Sequence, residues 1–318
     1  MRNLAPHILA SLLLVASAGA SAMDQPADCA LINDNVQRLA CFDSFFPSNN
    51  DALDADEASP IEARAAQERE SLYNWFAITP HRPNYILPVT YNFSSDYSAY
   101  GSLGEFFSDT EIKYQLSIKA RLWPNLWRRS SLWFAYTQLS LWQLYADEQA
   151  SAPFRETNHE PELRWQVPVD FKVLGWDARV ATLALVHQSN GRSEPLSRSW
   201  NRVVGELALE RGRFAASIRA WSRISESPEN DDNPNIEDYM GRIQVGAAYR
   251  GDRHSFAIGI KNNLSSDNRS GVELHWMFPL AEHLKGYVQA YSGYGETLID
   301  AENYTNRIGV GISLTDWL

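Results

Sequence analysis

Residues 179–189 read RVATLALVHQS, and residues 201–210 read NRVVGELALE. In the second stretch Asn201, Val203, Gly205, Leu207 and Leu209 alternate with positions that include Arg202, Glu206 and Glu210. In the first, Ala181, Leu183, Leu185, His187 and Ser189 fall on one parity. Side chains two apart share a face of a strand, so both stretches read as strands with an apolar face. His187, Ser189 and Asn201 sit on that apolar face, and the charges of the second strand go to the other.

The same period recurs. In 213–223, Phe214, Ala216, Ile218 and Ala220 oppose Ser217, Arg219 and Arg223. In 242–250, Ile243, Val245, Ala247 and Tyr249 oppose Arg242, Gln244, Gly246 and Arg250. In 271–278, Val272, Leu274, Trp276 and Phe278 oppose Gly271, Glu273 and His275, and 307–315 repeats the pattern with Ile308, Val310, Ile312 and Leu314. A soluble sandwich that buries the apolar face fits this alternation. So does a membrane barrel that turns it to lipid. The polar faces mix charges with small residues, as a tight lumen requires. Turn signals alternate between short ones (210-ERGR-213, 250-RGDR-253) and long ones (223-RISESPENDDNPNIED-238). That favours an all-β, antiparallel transmembrane β-barrel of about 12 strands starting near Leu72, with a short N-terminal extension.

Composition agrees. Lys+Arg number 28 against 39 Asp+Glu, a net charge of −11, which argues against a nucleic-acid partner. Arg2, the apolar run Ile8–Ala16 and Ala20-Ser21-Ala22 match the parts of a secretory signal, so residues 1–22 are expected to direct export. No run of 18 apolar residues follows; a barrel needs none, since its lipid face is hidden in alternation. Residues 23–71 form the extension. Cys29 and Cys41 lie in it and, in an oxidising compartment, can pair. A continuous helix would hold them about 18 Å apart, so a bridge needs a bend. Residues 46–70 are acidic and poor in large apolar residues, and read as a linker outside the main fold.

A hairpin whose loop centres near Glu194 sets His187 opposite Asn201, with Cβ atoms roughly 4.5–5.5 Å apart. Asn201 Oδ1 could then accept from His187 Nδ1, with Ser189 two residues along the same strand. This is the pattern of a nucleophile, a base and an orienting amide. A neutral amide stabilises an imidazolium less than a carboxylate does, so further help is expected at the oxyanion. A girdle of polar interface residues without chemistry gives the same residue types.

The wording of HQSNGRSEPLSRSWNR (187–202) resembles the signature of the outer-membrane phospholipase A family. SAPFRETNHEPEL (151–163), DDNPNIEDYMG (231–241) and YSGYGETLID (291–300) are similar to further pieces of it, so the resemblance spans roughly 72–318. It implies a twelve-stranded, calcium-dependent barrel of the outer membrane that hydrolyses sn-1 and sn-2 acyl esters of phospholipids and lysophospholipids and acts as a homodimer. It implies Ser189 as nucleophile, His187 as base, Asn201 as orienting amide and Gly191 as the oxyanion donor. For calcium it implies the Arg192 carbonyl and Ser197, with the Ser151 carbonyl from the partner chain, and Asp232 at a weaker, monomer-type site. Three departures stand out. Gln188 takes the place of an expected acidic residue, Glu194 that of an aspartate, and Trp317-Leu318 that of a terminal phenylalanine. A passive outer-membrane channel or structural barrel is the alternative from another class, and a soluble secreted esterase a third.

Overall fold

The computed structural model describes residues 29–45, 60–61, 64–65, 68, 78–127, 129–229, 231–281 and 284–315. The expected signal segment and Trp317-Leu318 lie outside the described residues. The chain divides into two units, Met1–Asp54 and Ala55–Leu318.

In the first unit, helix α1 (Asn35–Phe45) starts where the Asp34 side chain accepts the N–H groups of Val36 and Gln37, at 3.0 and 2.9 Å. Asp34 thereby caps donors that the first turn leaves unpaired. The chain bends between Cys29 and α1. This brings Cys29 and Cys41 to a Cα separation of 5.6 Å, and they form a disulfide.

The second unit holds strands β1 (Ile78–Pro80), β2 (Tyr85–Asn92), β3 (Thr110–Trp123), β4 (Ser131–Trp142), β5 (Phe154–Val173), β6 (Trp176–Ser189) and β7 (Ser199–Arg211). It continues with β8 (Phe214–Ile224), helix α2 (Ile236–Met240), β9 (Ile243–Arg250), β10 (Ser255–Asn262), β11 (Ser270–Ala281), β12 (Leu284–Gly293) and β13 (Thr305–Ser313). From β2 to β13 each strand pairs antiparallel with the next, and β13 closes on β2. The short β1 continues the edge of β2 along β3: Ile78 pairs with Ala120, and Tyr85 with Gln115. The sheet is therefore a closed twelve-stranded barrel with one extra short strand. Among the described residues no helix is long and apolar enough to cross a membrane.

The two faces invert the order of a soluble protein. Leu183, Leu185, Ile218, Val245, Leu274, Ile308 and Val310 point outward and are exposed. Exposed Trp123 and Trp127 near one end, and Tyr91 and Phe93 near the other, suit the interfacial girdles of a membrane barrel. Charged residues are buried inside. Glu111 accepts from Arg155 Nε at 2.6 Å and Arg307 Nη1 at 2.9 Å, while Glu296 pairs with Lys113 at 2.8 Å and Arg307 at 3.0 Å. A second cluster joins Glu160 and Glu162 of β5 to Arg82, to Arg164 and, from β8, to Arg219. Several of these pairs, such as Glu111 with Arg155 and Arg307 and Glu162 with Arg219, link strands that are not neighbours and so cross the lumen. A buried charge is tolerable only when paired. Each carboxylate of the two clusters meets a cation, while Arg164 Nε, Arg219 Nε and Arg307 Nη2 have no hydrogen-bond partner among the described residues.

The expectation of a linker outside the fold over 46–70 fails at its C-terminal end. Arg64 donates to the carbonyls of Pro80 and His81, at 3.0 and 2.7 Å, and Glu68 pairs with the buried Lys119. Ile61, Arg64, Ala65 and Glu68 line the lumen together with Arg82, Lys119 and Arg164. The reason is electrostatic: Lys119 points inward, and Glu68 supplies the carboxylate it needs.

Tight turns join β5 to β6 and β7 to β8 at one end. The first uses Leu174 and Gly175 at φ +50° and +82°, the sign that a two-residue hairpin turn with native strand twist requires. The loops 93–109, 143–153, 190–198, 225–242 and 294–304 gather at the other end.

Candidate active site

β6 and β7 meet the long-loop end of the barrel through the 190–198 loop. Asn190 organises that loop. Its N–H donates to Arg198 O at 3.0 Å, its Oδ1 accepts from the N–H of Arg198 at 3.0 Å, and its Nδ2 donates to Leu196 O at 2.8 Å. The Arg192 guanidinium ties the loop to β5 through the carbonyls of Phe154 and Arg155, both at 2.7 Å. The ladder that results pairs His187 with Asn201 and Ser189 with Ser199.

Strand parity then does the sorting. Ala184, Val186 and Trp200 point inward and pack with Val204, Trp221, Ile236, Met240, Leu298 and Ala301. This apolar cluster inside the barrel backs the two strands. Gln188 also points inward, as its parity requires, and its Oε1 accepts from Trp200 Nε1 at 2.9 Å and Arg202 Nη2 at 3.1 Å. His187 is exposed on the outer wall, above Leu183 and Leu185, and Ser189 is half-buried beside it.

His187 Nδ1 lies 2.9 Å from Asn201 Oδ1. Amide Oδ1 can only accept, so His187 donates from Nδ1 and leaves Nε2 as the basic nitrogen. Ser189 Oγ has no hydrogen-bond partner among the described residues, so the bond to His187 Nε2 suited by the strand spacing is not made. Strand neighbours two apart are about 6.5–7 Å apart at Cα, and closing the gap needs the serine rotamer that faces the ring. Such bonds often tighten only with substrate bound.

Gly191 follows at φ +65°, a conformation glycine adopts without strain. A Cβ there would lie 3.7 Å from His159 Cδ2. His159 is the cross-strand partner of Ser189 on β5, and its Nδ1 lies 2.7 Å from Tyr136 OH. The Gly191 N–H makes no hydrogen bond among the described residues, so it is available to an incoming oxygen.

The residues with calcium-type oxygens divide into two places. Ser197 Oγ donates to Asp232 Oδ2 at 2.6 Å, and the Ser199 N–H donates to Asp232 Oδ1 at 2.9 Å. This binds Asp232 of the 225–242 loop to the β6–β7 hairpin. Arg192 lies in the same loop as Ser197. Ser151 is exposed in the β4–β5 loop at φ +54°, and no contact joins it to Ser197 or Asp232. Glu194 is exposed and has no hydrogen bond or ion pair among the described residues. Among the described residues no three His, Cys, Asp or Glu side chains cluster as a metal site. The Arg192 carbonyl, the Ser197 hydroxyl and the Asp232 carboxylate are hard oxygens of the kind that suit calcium.

One participant was not found in the sequence. Asn201 Nδ2 donates to Glu226 Oε1 at 2.9 Å. Glu226 lies two residues beyond Ile224, the cross-strand partner of Asn201 on β8. Extending the parity of β8 past its last paired residue was the signal that could have located it.

The chain resembles known proteins over most of its length. Residues 61–314 match the family model described as Phospholipase A1. A protein of Neisseria meningitidis named putative phospholipase A1 is 34% identical over 99% of this chain and 96% of its own length. Phospholipase A1 of Escherichia coli is 38% identical over 80% of this chain and 86% of its own. The solved outer membrane phospholipase A of Escherichia coli superposes with a TM-score of 0.72 at 36% identity, covering 77% of this chain and 94% of that one. The Salmonella typhi outer membrane phospholipase, solved as a dimer with bound calcium, gives a TM-score of 0.73 at 35% identity over 79% and 97%.

Proposed function

Since this chain belongs to the phospholipase A1 family, we propose that it is an outer-membrane barrel phospholipase with Ser189 as nucleophile, His187 as general base and Asn201 as orienting amide. The observation that carries this reading is the outward-facing 2.9 Å pair of His187 and Asn201 beside Ser189. A site on the lipid-facing wall meets its substrate in the bilayer itself.

Ser189 Oγ attacks the ester carbonyl carbon as His187 Nε2 takes its proton. The carbonyl oxygen gains charge and accepts from the Gly191 N–H. Collapse breaks the ester C–O bond, and His187 returns the proton to the departing glycerol oxygen. Water then attacks the acyl-serine with His187 again as base; the acyl C–Oγ bond breaks, His187 returns the proton to Ser189 Oγ, and a free fatty acid leaves. Acyl esters at sn-1 and sn-2, and those of lysophospholipids, present the same carbonyl to this machinery.

Calcium fits the oxygens of the Arg192 carbonyl and Ser197, where it would add positive charge beside the developing oxyanion, and Asp232 offers a carboxylate for a second, weaker site. Calcium takes about six to eight oxygens, so water or a second chain would complete the set. The partner subunit's Ser151 carbonyl is the proposed contribution from a homodimer, a reading supported by the calcium-bound dimer of the Salmonella relative. Residues 1–22 as an export signal belong to the same proposal. The ion pairs that cross the lumen count against an open channel, and the exposed aliphatic wall counts against a soluble esterase.

The test is covalent labelling. A long-chain sulfonyl fluoride should modify Ser189, identified by peptide mass, because an activated serine attacks such reagents. Label absent from Ser189 in the folded barrel would overturn the assignment.

A further inference from the structure

An asparagine amide has an oxygen end and a nitrogen end of nearly the same shape. A half-turn about its last torsion exchanges them. Only the oxygen end can accept from His187 Nδ1, so something must hold Asn201 the right way round. Among the described residues, Asn201 Nδ2 is the one hydrogen-bond partner of Glu226, at 2.9 Å from Oε1. An ionised carboxylate accepts and never donates. With the amide flipped, Asn201 Oδ1 would face Glu226 acceptor to acceptor, and Nδ2 would face the His187 N–H donor to donor. Both contacts would be lost together.

The bond also carries charge. Hydrogen bonds to an ionised acceptor are roughly twice as strong as neutral ones. Donating to Glu226 pulls electron density toward Asn201 Oδ1 and improves it as an acceptor, since linked hydrogen bonds polarise one another. A serine–histidine pair oriented by a plain amide lacks the negative charge that an aspartate supplies. Here one lies behind the amide.

Resting on the assignment of Ser189, His187 and Asn201 above, we propose that Glu226 is a positioning residue. It fixes the Asn201 amide, thereby sets the His187 tautomer, and backs the imidazolium of the transition state with charge. The line Ser189–His187–Asn201–Glu226 runs across the ends of β6 and β7 and into the loop after β8.

The experiment uses the full chain refolded in detergent, at saturating calcium, with fatty-acid release from phospholipid micelles. Folding is read from the heat-dependent gel mobility of a barrel. Glu226→Ala should lower kcat about tenfold, the loss expected for a hydrogen bond to a charged group, with KM and the calcium needed for half-maximal activity unchanged. Glu226→Gln, which keeps an acceptor oxygen without the charge, should fall between wild type and Glu226→Ala. In an Asn201→Ala background Glu226→Ala should cost nothing more, because the coupling runs through that amide. Wild-type kcat in folded Glu226→Ala and Glu226→Gln would overturn the proposal. So would a loss of the same size in the Asn201→Ala background, or a loss that added calcium repairs. Ser189→Ala runs alongside. If it stays active the nucleophile assignment itself falls; if it is inactive while Glu226→Ala matches wild type, only the positioning role falls.

Discussion

His187 and Asn201 face each other across the β6–β7 ladder with Nδ1 and Oδ1 2.9 Å apart, on the wall that the barrel turns to lipid. Polar groups in such a position are costly unless satisfied. They satisfy each other, and the arrangement leaves one basic nitrogen free.

Asn201→Ala should therefore fold and retain part of its turnover. Ser189, His187 and the Gly191 N–H remain, and only the orientation of the ring is lost. We expect kcat to fall by about one to two orders of magnitude, the cost of roughly 1.5–3 kcal/mol of lost hydrogen bonding. Asn201→Asp keeps an acceptor for His187 and should be less impaired than Asn201→Ala. Steady-state fatty-acid release across pH is the check; an Asn201→Ala enzyme equal to wild type at every pH would remove the orienting role.

The barrel wall was legible in the sequence because lipid imposes one rule on every strand. Ile218, Val245, Leu274 and Ile308 all fall on the outward parity, and the loop centre near Glu194 sufficed to pair His187 with Asn201. The lumen was not legible. Glu162 meets Arg219 from a strand 57 residues away, and such pairing leaves no local pattern. Glu68 read as part of an acidic linker because composition cannot reveal that Lys119 needs a carboxylate. Glu226 was missed for a related reason: it sits past the end of β8, where alternation is no longer enforced by pairing.

The lumen clusters carry a stability prediction. Glu111 is fully buried and bonded to both Arg155 and Arg307. Glu111→Ala takes one carboxylate from each guanidinium, leaving Arg155 with Asp300 and Arg307 with Glu296, and should destabilise the barrel by about 3 kcal/mol, the lower end for breaking a buried pair. Urea titration followed by gel mobility measures this. Because Glu111 lies in the lumen, whatever fraction remains folded should keep its turnover. Unchanged stability would mean that water already screens the cluster.

Calcium and assembly should be linked. If one ligand comes from the partner subunit, calcium favours the dimer and the dimer favours calcium by the same factor. Chelator should abolish activity and raise the monomer fraction in detergent sedimentation. Ser197→Ala should raise the calcium required for half-maximal activity. Sulfonylation of Ser189 with a long acyl chain should shift the protein toward dimer, as the chain fills the cleft between barrels. Full activity in excess chelator, or in a preparation that sediments as monomer, would dissociate this chain from that scheme.

The most direct measurement is fatty-acid release from phospholipid by the refolded protein in calcium, wild type against Ser189→Ala, both verified as heat-modifiable barrels. Wild type should release fatty acid, and Ser189→Ala should lose activity by about a thousandfold or more, the scale set by loss of an activated nucleophile. A folded Ser189→Ala barrel that hydrolyses phospholipid at the wild-type rate would contradict the serine mechanism.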